Sequence, residues 1–459
     1  MPTDQHTVSE HPPGASVGAR RVSHALMRPL ERFLHIQAAS GIVLLIATAV
    51  ALVWVNSPWQ ASYHALWATR IDLAVGPWAA STTLHFVVND VLMAVFFFVI
   101  GLEVRRELQA GELSSLRRGT LPIAAALGGM VAPIAIYFLA GAFVDASAGW
   151  AVPLSTDTAF ALGVLALLGR RIPATLRLLV LTIAVIDDVI AILVIAVFYT
   201  SGLEPTGILV AIAGIGVVVL FQRLGIRQVA AYVVPGSVVW VGVWWAGIHP
   251  TIAGVMLGLL TPATAWYGHH GFLDAARRDL ATIAQRLKFI EAKHDLAQPM
   301  SALRLAQREA VSPLDRIVRA LHPWAAFGIM PVFALANAGV DFGAVELGAA
   351  PRLAAGIAGG LVVGKLAGIL LASLAVVKLR ITALPPDVTW AGMAIAGAVA
   401  GIGFTMALFI AELAFADEPA LQDIATVAVI VASAVAATVA LLLGRFLLPP
   451  AAPAAVTDS

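Results

Sequence analysis

The sequence predicts an all-α polytopic membrane protein of twelve transmembrane helices, and three observations predict it. Hydrophobic residues make up 60% of the 459 and charged residues only 12%, against about 25% charged in a soluble domain. The apolar residues come in long runs nearly free of charge, and about 20 such residues span the hydrocarbon core as a helix. Lysine and arginine also alternate. With the N-terminus inside, connections on the cytoplasmic side hold 25 of the 28, the outer loops hold only Arg70 and Arg352, and Lys365 alone remains within a span. That asymmetry is the positive-inside rule, and it supports both the count and the orientation, with both termini cytoplasmic. A porin-like barrel would need short alternating segments, which are not seen. The net charge of +1 says nothing about a partner, and the lack of cysteine excludes disulfides and thiolate metal sites. No cofactor is indicated.

The apolar segments run roughly 39–56, 85–103, 121–141, 150–169, 174–199, 205–222, 228–246, 248–262, 321–340, 353–376, 390–414 and 421–447. Segments 7 and 8 are nearly continuous and are split at Gly247 to Pro250, a breaker signal. Residues 39–447 therefore form the membrane domain, flanked by an N-terminal segment 1–38 and a tail 448–459. The N-terminal segment lacks a cleavable signal pattern. Leu26, Leu30, Phe33 and Leu34 recur in it at helical spacing, which reads as a helix on the membrane surface.

Two connections stand out. The outer loop 57–84 contains Arg70-Ile-Asp-Leu-Ala-Val-Gly-Pro-Trp78, an alternating stretch with a Gly-Pro turn that predicts a β-hairpin. The inner loop 263–320 places Leu280, Ile283, Leu287 and Ile290 at helical spacing among charges, which predicts one amphipathic helix on the cytoplasmic side.

Charge within the spans is the functional signal, because a charge at mid-bilayer costs roughly 2.5–3.5 kcal/mol on insertion scales. Asp187 and Asp188 sit at the centre of segment 5, in Ala184-Val-Ile-Asp-Asp-Val-Ile-Ala191. Adjacent helix residues point in different directions, so one carboxylate is expected to face an ion and the other a neighbouring charge. Two carboxylates sharing a low-dielectric site hold protons or a cation, but not comfortably both. That is the chemistry of an exchanger. The plainer reading is a pair merely neutralised by a buried cation.

Asp157 lies in Ala151-Val-Pro-Leu-Ser-Thr-Asp-Thr-Ala159, where Pro, Ser and Thr predict a break in segment 4. Gly397-Ala-Val-Ala-Gly-Ile-Gly-Phe-Thr405 predicts a second break, in segment 11. Two broken segments seven places apart suggest inverted repeats, segments 3–5 and 10–12. Where such breaks cross, paired helix N-termini need a negative charge and paired C-termini a positive one. Asp157 can supply the first. Lys365 can supply the second or pair with an aspartate of segment 5. Gly356, Gly360, Gly364 and Gly368 recur every four residues around it, a smooth face for close helix packing. Asp90 divides evenly between lining an ion path and structural hydrogen bonding. Glu103 and Glu107 close segment 2 with Arg105 and Arg106, as a solvated end or a cation-attracting funnel. His249 and His322 flank helix ends, in capping or pH-sensing positions. Glu412 is expected to reach the membrane interface.

These residues stand in stretches that together closely resemble the NhaA family of bacterial sodium/proton antiporters. The stretches are Asn89-Asp-Val-Leu-Met-Ala-Val-Phe-Phe97, Gly101-Leu-Glu-Val-Arg-Arg-Glu-Leu108, Thr156-Asp-Thr-Ala-Phe-Ala-Leu-Gly163 and Ile186-Asp-Asp188. They continue with His322-Pro-Trp324, Phe333-Ala-Leu-Ala-Asn-Ala-Gly339, Gly364-Lys365 and Gly401-Ile-Gly-Phe-Thr-Met406, so the likeness runs in order from about Ala39 to Leu447. The resemblance implies twelve helices with helices 4 and 11 unwound and crossed. It implies a Na+, Li+ and H+ site at Asp187 and Asp188 with Thr156 nearby, and Asp157 and Lys365 neutralising the crossed ends. It further implies electrogenic exchange in the inner membrane that rises at alkaline pH, and a homodimer formed through the hairpin around residues 70–78. The chain departs from the family in its long inner loop, and in Val318 and Arg319, where members often carry a Glu-His pair linked to pH sensing.

Three rivals fit less well. A channel needs no buried aspartate pair with a lysine. An intramembrane aspartyl protease would need its aspartates on separate helices. A sodium-coupled symporter of an organic anion shares the crossed helices and is the alternative, but would lack an adjacent mid-helix pair.

Overall fold

Apolar residues on every side of long helices, with breakers placed between them, fold here into an all-helical bundle with one small β-hairpin. The computed structural model describes residues 37–75, 78–200, 202–265, 269–287, 297–346 and 348–448. The surface helix expected within 1–38 and the tail 449–459 lie outside the described residues.

α1 (Gln37–Val55) turns by 118° into α2 (Gln60–Trp67). The hairpin follows as β1 (Arg70–Val75) and β2 (Trp78–Thr83), antiparallel, with Arg70 opposite Thr83 and Val75 opposite Trp78. Its second strand extends beyond the predicted stretch, and its Gly-Pro turn is outside the described residues. One helix then runs from Leu84 to Ala110, with a π-helical turn at Val87–Leu92 that leads into α3 (Met93–Ala110).

α4 (Leu116–Leu139) precedes a 3-10 helix, Ser147–Leu154, and α5 (Thr158–Leu167). α6 (Ala174–Phe198) carries the aspartate pair and is the most enclosed of the long apolar helices. α7 (Pro205–Arg223), α8 (Val233–Trp245) and α9 (Thr251–Leu260) follow, with Gly247 in the left-handed region (φ +79°) at the predicted split. A side chain there would meet the steric penalty that glycine avoids.

The inner loop holds two helices rather than the one expected, α10 (His269–Leu287) and α11 (Ala297–Glu309), packed on each other. α11 was hidden because its apolar residues are few and its run is short. Its last residue, Glu309, is buried against Arg227 at 2.7 Å, which ties the loop to the membrane domain. α12 (Pro313–Trp324) starts earlier than predicted, because Ser312 accepts from the Asp315 N–H at 3.0 Å and donates to its carboxylate at 2.7 Å. This capping arrangement satisfies orphan N–H groups without any apolar signal. A π-helical turn, Ala325–Ile329, joins it to α13 (Met330–Asn337). α14 (Pro351–Gly359), a π turn at Gly360–Gly364 and α15 (Lys365–Lys378) make one long helix. α16 (Trp390–Ala400), α17 (Phe404–Ala414) and α18 (Pro419–Leu447) complete the chain.

Each of the twelve predicted segments coincides with helical structure. Among the described residues seven helices are long and apolar enough to cross a membrane, or up to ten if each bent pair is one span. The remaining two segments, around α8 and α9, are shorter apolar helices. Many outward faces carry exposed Leu and Val, as at Leu139, Val197 and Leu209. In lipid that exposure is the favourable arrangement, since only backbone polar groups then need internal partners.

Packing divides the bundle. α4 lies along α14 and α15, α16 and α17 pack on α18, and α6 fits among α4, α5 and α16. α3 packs mainly on α9 and also touches α6, and α7 packs on α8. α1 touches both α5 and α13, and α13 lies between α17 and the turn at Val87–Leu92. The α4–α15 contact is backbone to backbone: a Cβ on Gly128 or Gly368 would collide with the other's carbonyl oxygen. The remaining glycines of that stripe, Gly356, Gly360 and Gly364, face Tyr137, Pro153 and Pro133 in the same groove.

Candidate functional site

Both predicted breaks are present, as three-residue interruptions at 155–157 and 401–403 with bends of 40° and 42°. They meet. The Asp157 N–H donates to Ile402 O at 2.7 Å, and the Thr156 hydroxyl donates to Ala400 O at 2.8 Å. Unwound backbone inside a membrane domain leaves polar groups that must find partners, and each break supplies partners for the other.

Asp157 is the N-cap of α5, where its Oδ1 accepts from the Phe160 N–H at 2.9 Å. Its Oδ2 accepts from the N–H (3.1 Å) and the hydroxyl (2.5 Å) of Thr405, in the first turn of α17. One fully buried carboxylate thus satisfies donors at two helix N-termini, where the partial positive charge favours an anion.

Lys365, also fully buried, donates to Asp187 Oδ2 at 2.5 Å. The aspartate pairing left open by the sequence is therefore the one present. Gly129 makes room for Ile369, one turn beyond the lysine, since a Cβ there would lie 2.9 Å from the isoleucine side chain. The Thr156 hydroxyl also lies 2.7 Å from Asp187 Oδ2, so Thr156 links the pair to the crossing.

Asp187 and Asp188 differ in surroundings, as their different directions on α6 require. Asp187 faces Lys365 and Thr156 through one oxygen, and its Oδ1 is buried without a hydrogen-bond partner among the described residues. Asp188 is buried, its Oδ1 likewise has no partner, and it lies in the field of Asp187, Glu103, Asp157 and Lys365. Ser155 Oγ and Thr158 Oγ1, at the break, are buried without partners as well. Among the described residues the site is rich in hard oxygen acceptors and has one cation, Lys365, which bonds only one of its carboxylate oxygens.

The other candidates fall into two groups. At the end of the molecule that carries the inner loop, Glu103 is half-buried and acts electrostatically on Asp188, with His322 and Arg106 nearby. Glu107 instead turns to structural use. Its Oε1 accepts from the Glu112 N–H at 2.8 Å and from the Thr182 hydroxyl at 3.2 Å. At the hairpin end, Asp90 sits 3.7 Å from His249, whose other ring nitrogen meets the Thr251 hydroxyl at 2.9 Å.

Glu412 has a partner that the sequence reading did not foresee. Its side chain turns inward, mostly buried, and its Oε1 accepts from the Asn89 amide. Asn89 and Asn337 bond each other through both amides, at 2.8 and 3.3 Å. Thr405, Asn89 and Asn337 were not singled out beforehand, although each lies in a stretch that carried the family likeness. The signal for Glu412 was its flanks, Phe409-Ile-Ala-Glu-Leu-Ala-Phe415, which are apolar on both sides.

A family model described as Na+/H+ antiporter 1 matches residues 31–443. The Na(+)/H(+) antiporter NhaA 2 of Sorangium cellulosum is 52% identical over 442 residues, 96% of this chain and 94% of that protein. The Na(+)/H(+) antiporter NhaA of Janthinobacterium sp. is 46% identical over 95% of this chain and 96% of its own length. That of Bartonella henselae is 44% identical over 92% and 93%.

Proposed function

The chain belongs to the Na+/H+ antiporter 1 family, and from that premise we propose that Asp187 and Asp188 are where it exchanges sodium for protons. It is a multi-pass inner-membrane antiporter and not an enzyme. The observation that carries the site assignment is the pair of adjacent, buried carboxylates of which Lys365 and Thr156 engage only one oxygen.

The cycle follows from that imbalance. With the site open to the cytoplasm, a sodium ion displaces protons and takes carboxylate and hydroxyl oxygens, the ligands a hard cation prefers. Lithium suits the same donors. The group built on α4 to α6 and α14 to α18 then rocks against the rest and turns the site outward. Protons driven by the gradient reload the carboxylates and expel the ion, with more protons entering than sodium leaving. The charge travels with compensation already in place, Asp157 at the helix N-termini and Lys365 beside Asp187. Because the two ligands compete for one site, raising the pH first favours ion binding and eventually starves the return step of protons. Glu103 and His322 lie where a cation would enter from the cytoplasm, and Asp90 and His249 lie on the outward side.

The direct test uses everted membrane vesicles carrying a pre-formed pH gradient. Adding sodium alone, with no organic anion, is expected to dissipate the gradient in vesicles with the protein and not in vesicles without it. A gradient that persists with both sodium and lithium would overturn the reading.

The β1–β2 hairpin is proposed as the dimer contact. It projects two antiparallel strands whose edges have no partner strand among the described residues, and exposed strand edges favour pairing with a second chain. Deleting residues 70–83 is expected to halve the particle mass in mild detergent. A dimer that survives the deletion removes the hairpin from this role.

A further inference from the structure

Glu412 lies outside the cycle just described, yet it is a mostly buried acid on the very half-helix whose N-terminus Asp157 caps. Three observations converge on it. First, it reaches across the division in packing. α17 belongs with α18 and the crossing, whereas Asn89 sits in the π-helical turn that leads into α3, which packs mainly on α9. The Glu412–Asn89 bond, extended through Asn89 to Asn337 on α13, joins the two groups. His85, 3.9 Å away, faces the same carboxylate.

Second, Phe409 lies three residues earlier, one turn deeper on the same face of α17. Its ring is fully buried against Phe97 of α3 (5.4 Å), Phe333 of α13 (6.0 Å) and His249 (5.3 Å). Polar clasp and aromatic plug therefore stack along one seam between the groups. Third, the seam is at the hairpin end, outward of the aspartate pair in the proposed orientation.

We propose that Glu412 is a positioning residue for the exchange. Its bond to Asn89 holds α17 against the fixed helices, so that Phe409 seals the outer route to the ion site. Opening outward then requires this clasp to part. Glu412 Oε2 is buried and has no hydrogen-bond partner among the described residues. Water admitted by opening would satisfy it, so the closed form is not held irreversibly. The inference rests on the antiport reading and adds a residue that sets the balance between inward and outward forms.

Sodium affinity measured at each face tests it. Everted vesicles present sodium to the cytoplasmic face, and right-side-out vesicles present it to the outer face. In Glu412→Ala the scarce outward form becomes commoner, so the outer-face KM for sodium should fall roughly fivefold, the effect of losing one hydrogen bond. The cytoplasmic KM should not fall. Asn89→Ala should reproduce the shift, and the double variant should add nothing to it. Glu412→Gln keeps an acceptor for the Asn89 amide and should restore wild-type values.

An outer KM that does not move, or that moves together with the inner one, overturns the proposal. So does a Gln variant that behaves like Ala. Should Glu412→Ala not reach the membrane, the cysteine-free chain allows another route. N89C/E412C joined by a short bifunctional thiol reagent should stop exchange, and full exchange after joining overturns the clasp. Wild-type vesicles that show no sodium-driven proton movement would instead remove the antiport reading itself.

Discussion

Asp188→Asn is expected to reduce sodium-driven proton movement in everted vesicles to the level of vesicles lacking the protein, while the variant remains folded in the membrane. The two halves of that expectation come from different observations. Asn has the shape of Asp but can neither release a proton nor offer a charged oxygen, so it removes both exchanged ligands' attachment point. Asp188 Oδ1 has no hydrogen-bond partner among the described residues, so replacing that oxygen breaks no hydrogen bond of the fold. An uncompensated buried charge is costly, and three acidic neighbours act on Asp188 against one lysine. Neutralising it should leave the thermal unfolding midpoint in detergent unchanged or raise it. Full exchange by Asp188→Asn would show that the transported ions bind elsewhere. A lost fold would show that Asp188 is structural.

Lys365→Ala carries the largest expected cost in stability. The lysine and Asp187 form a fully buried pair, and breaking such a pair by removing one partner typically costs about 3–5 kcal/mol, because the survivor is left charged and dry. The midpoint should fall by several degrees, and expression with it. The second variant separates scaffold from transport. In Asp187→Ala/Lys365→Ala neither charge remains, so most of the lost stability should return, since uncharged replacements of buried pairs are often neutral. Exchange should stay absent, because half of the ion site has gone. Equal stability of Lys365→Ala and wild type would mean that the pair does not hold the fold. Recovery of exchange in the double variant would mean that Asp187 is not a ligand.

What could be read in advance was whatever carries a penalty in hydrocarbon. Asp157, Asp187, Asp188 and Lys365 stood out because a charge in an apolar run is expensive, and the structure gathers them around one crossing. The breaks were legible for a related reason, since Ser, Thr and Gly weaken a helix locally. Thr405, Asn89 and Asn337 carried no such signal. Neutral polar residues are cheap in a sequence, and their partners lie 248 positions away, a distance that no periodicity encodes. Glu412 did carry a charge signal but sat near a segment end, where acids are ordinarily solvated. Its inward turn depends on Asn89, which arrives from another helix. The π-helical turns at 87–92, 325–329 and 360–364 were likewise invisible. Each adds one residue to a turn without changing composition, and the last of them ends immediately before Lys365.

The bare backbone contact between Gly128 and Gly368 has a mechanical consequence. Side chains can slide or change rotamer, but two main chains touching directly have nothing between them to rearrange. The joint behaves as a weld, so α4 and α15 are obliged to travel as one body and to bring the lysine with them. Any rocking of the kind proposed for the exchange must then find its slip somewhere other than this seam.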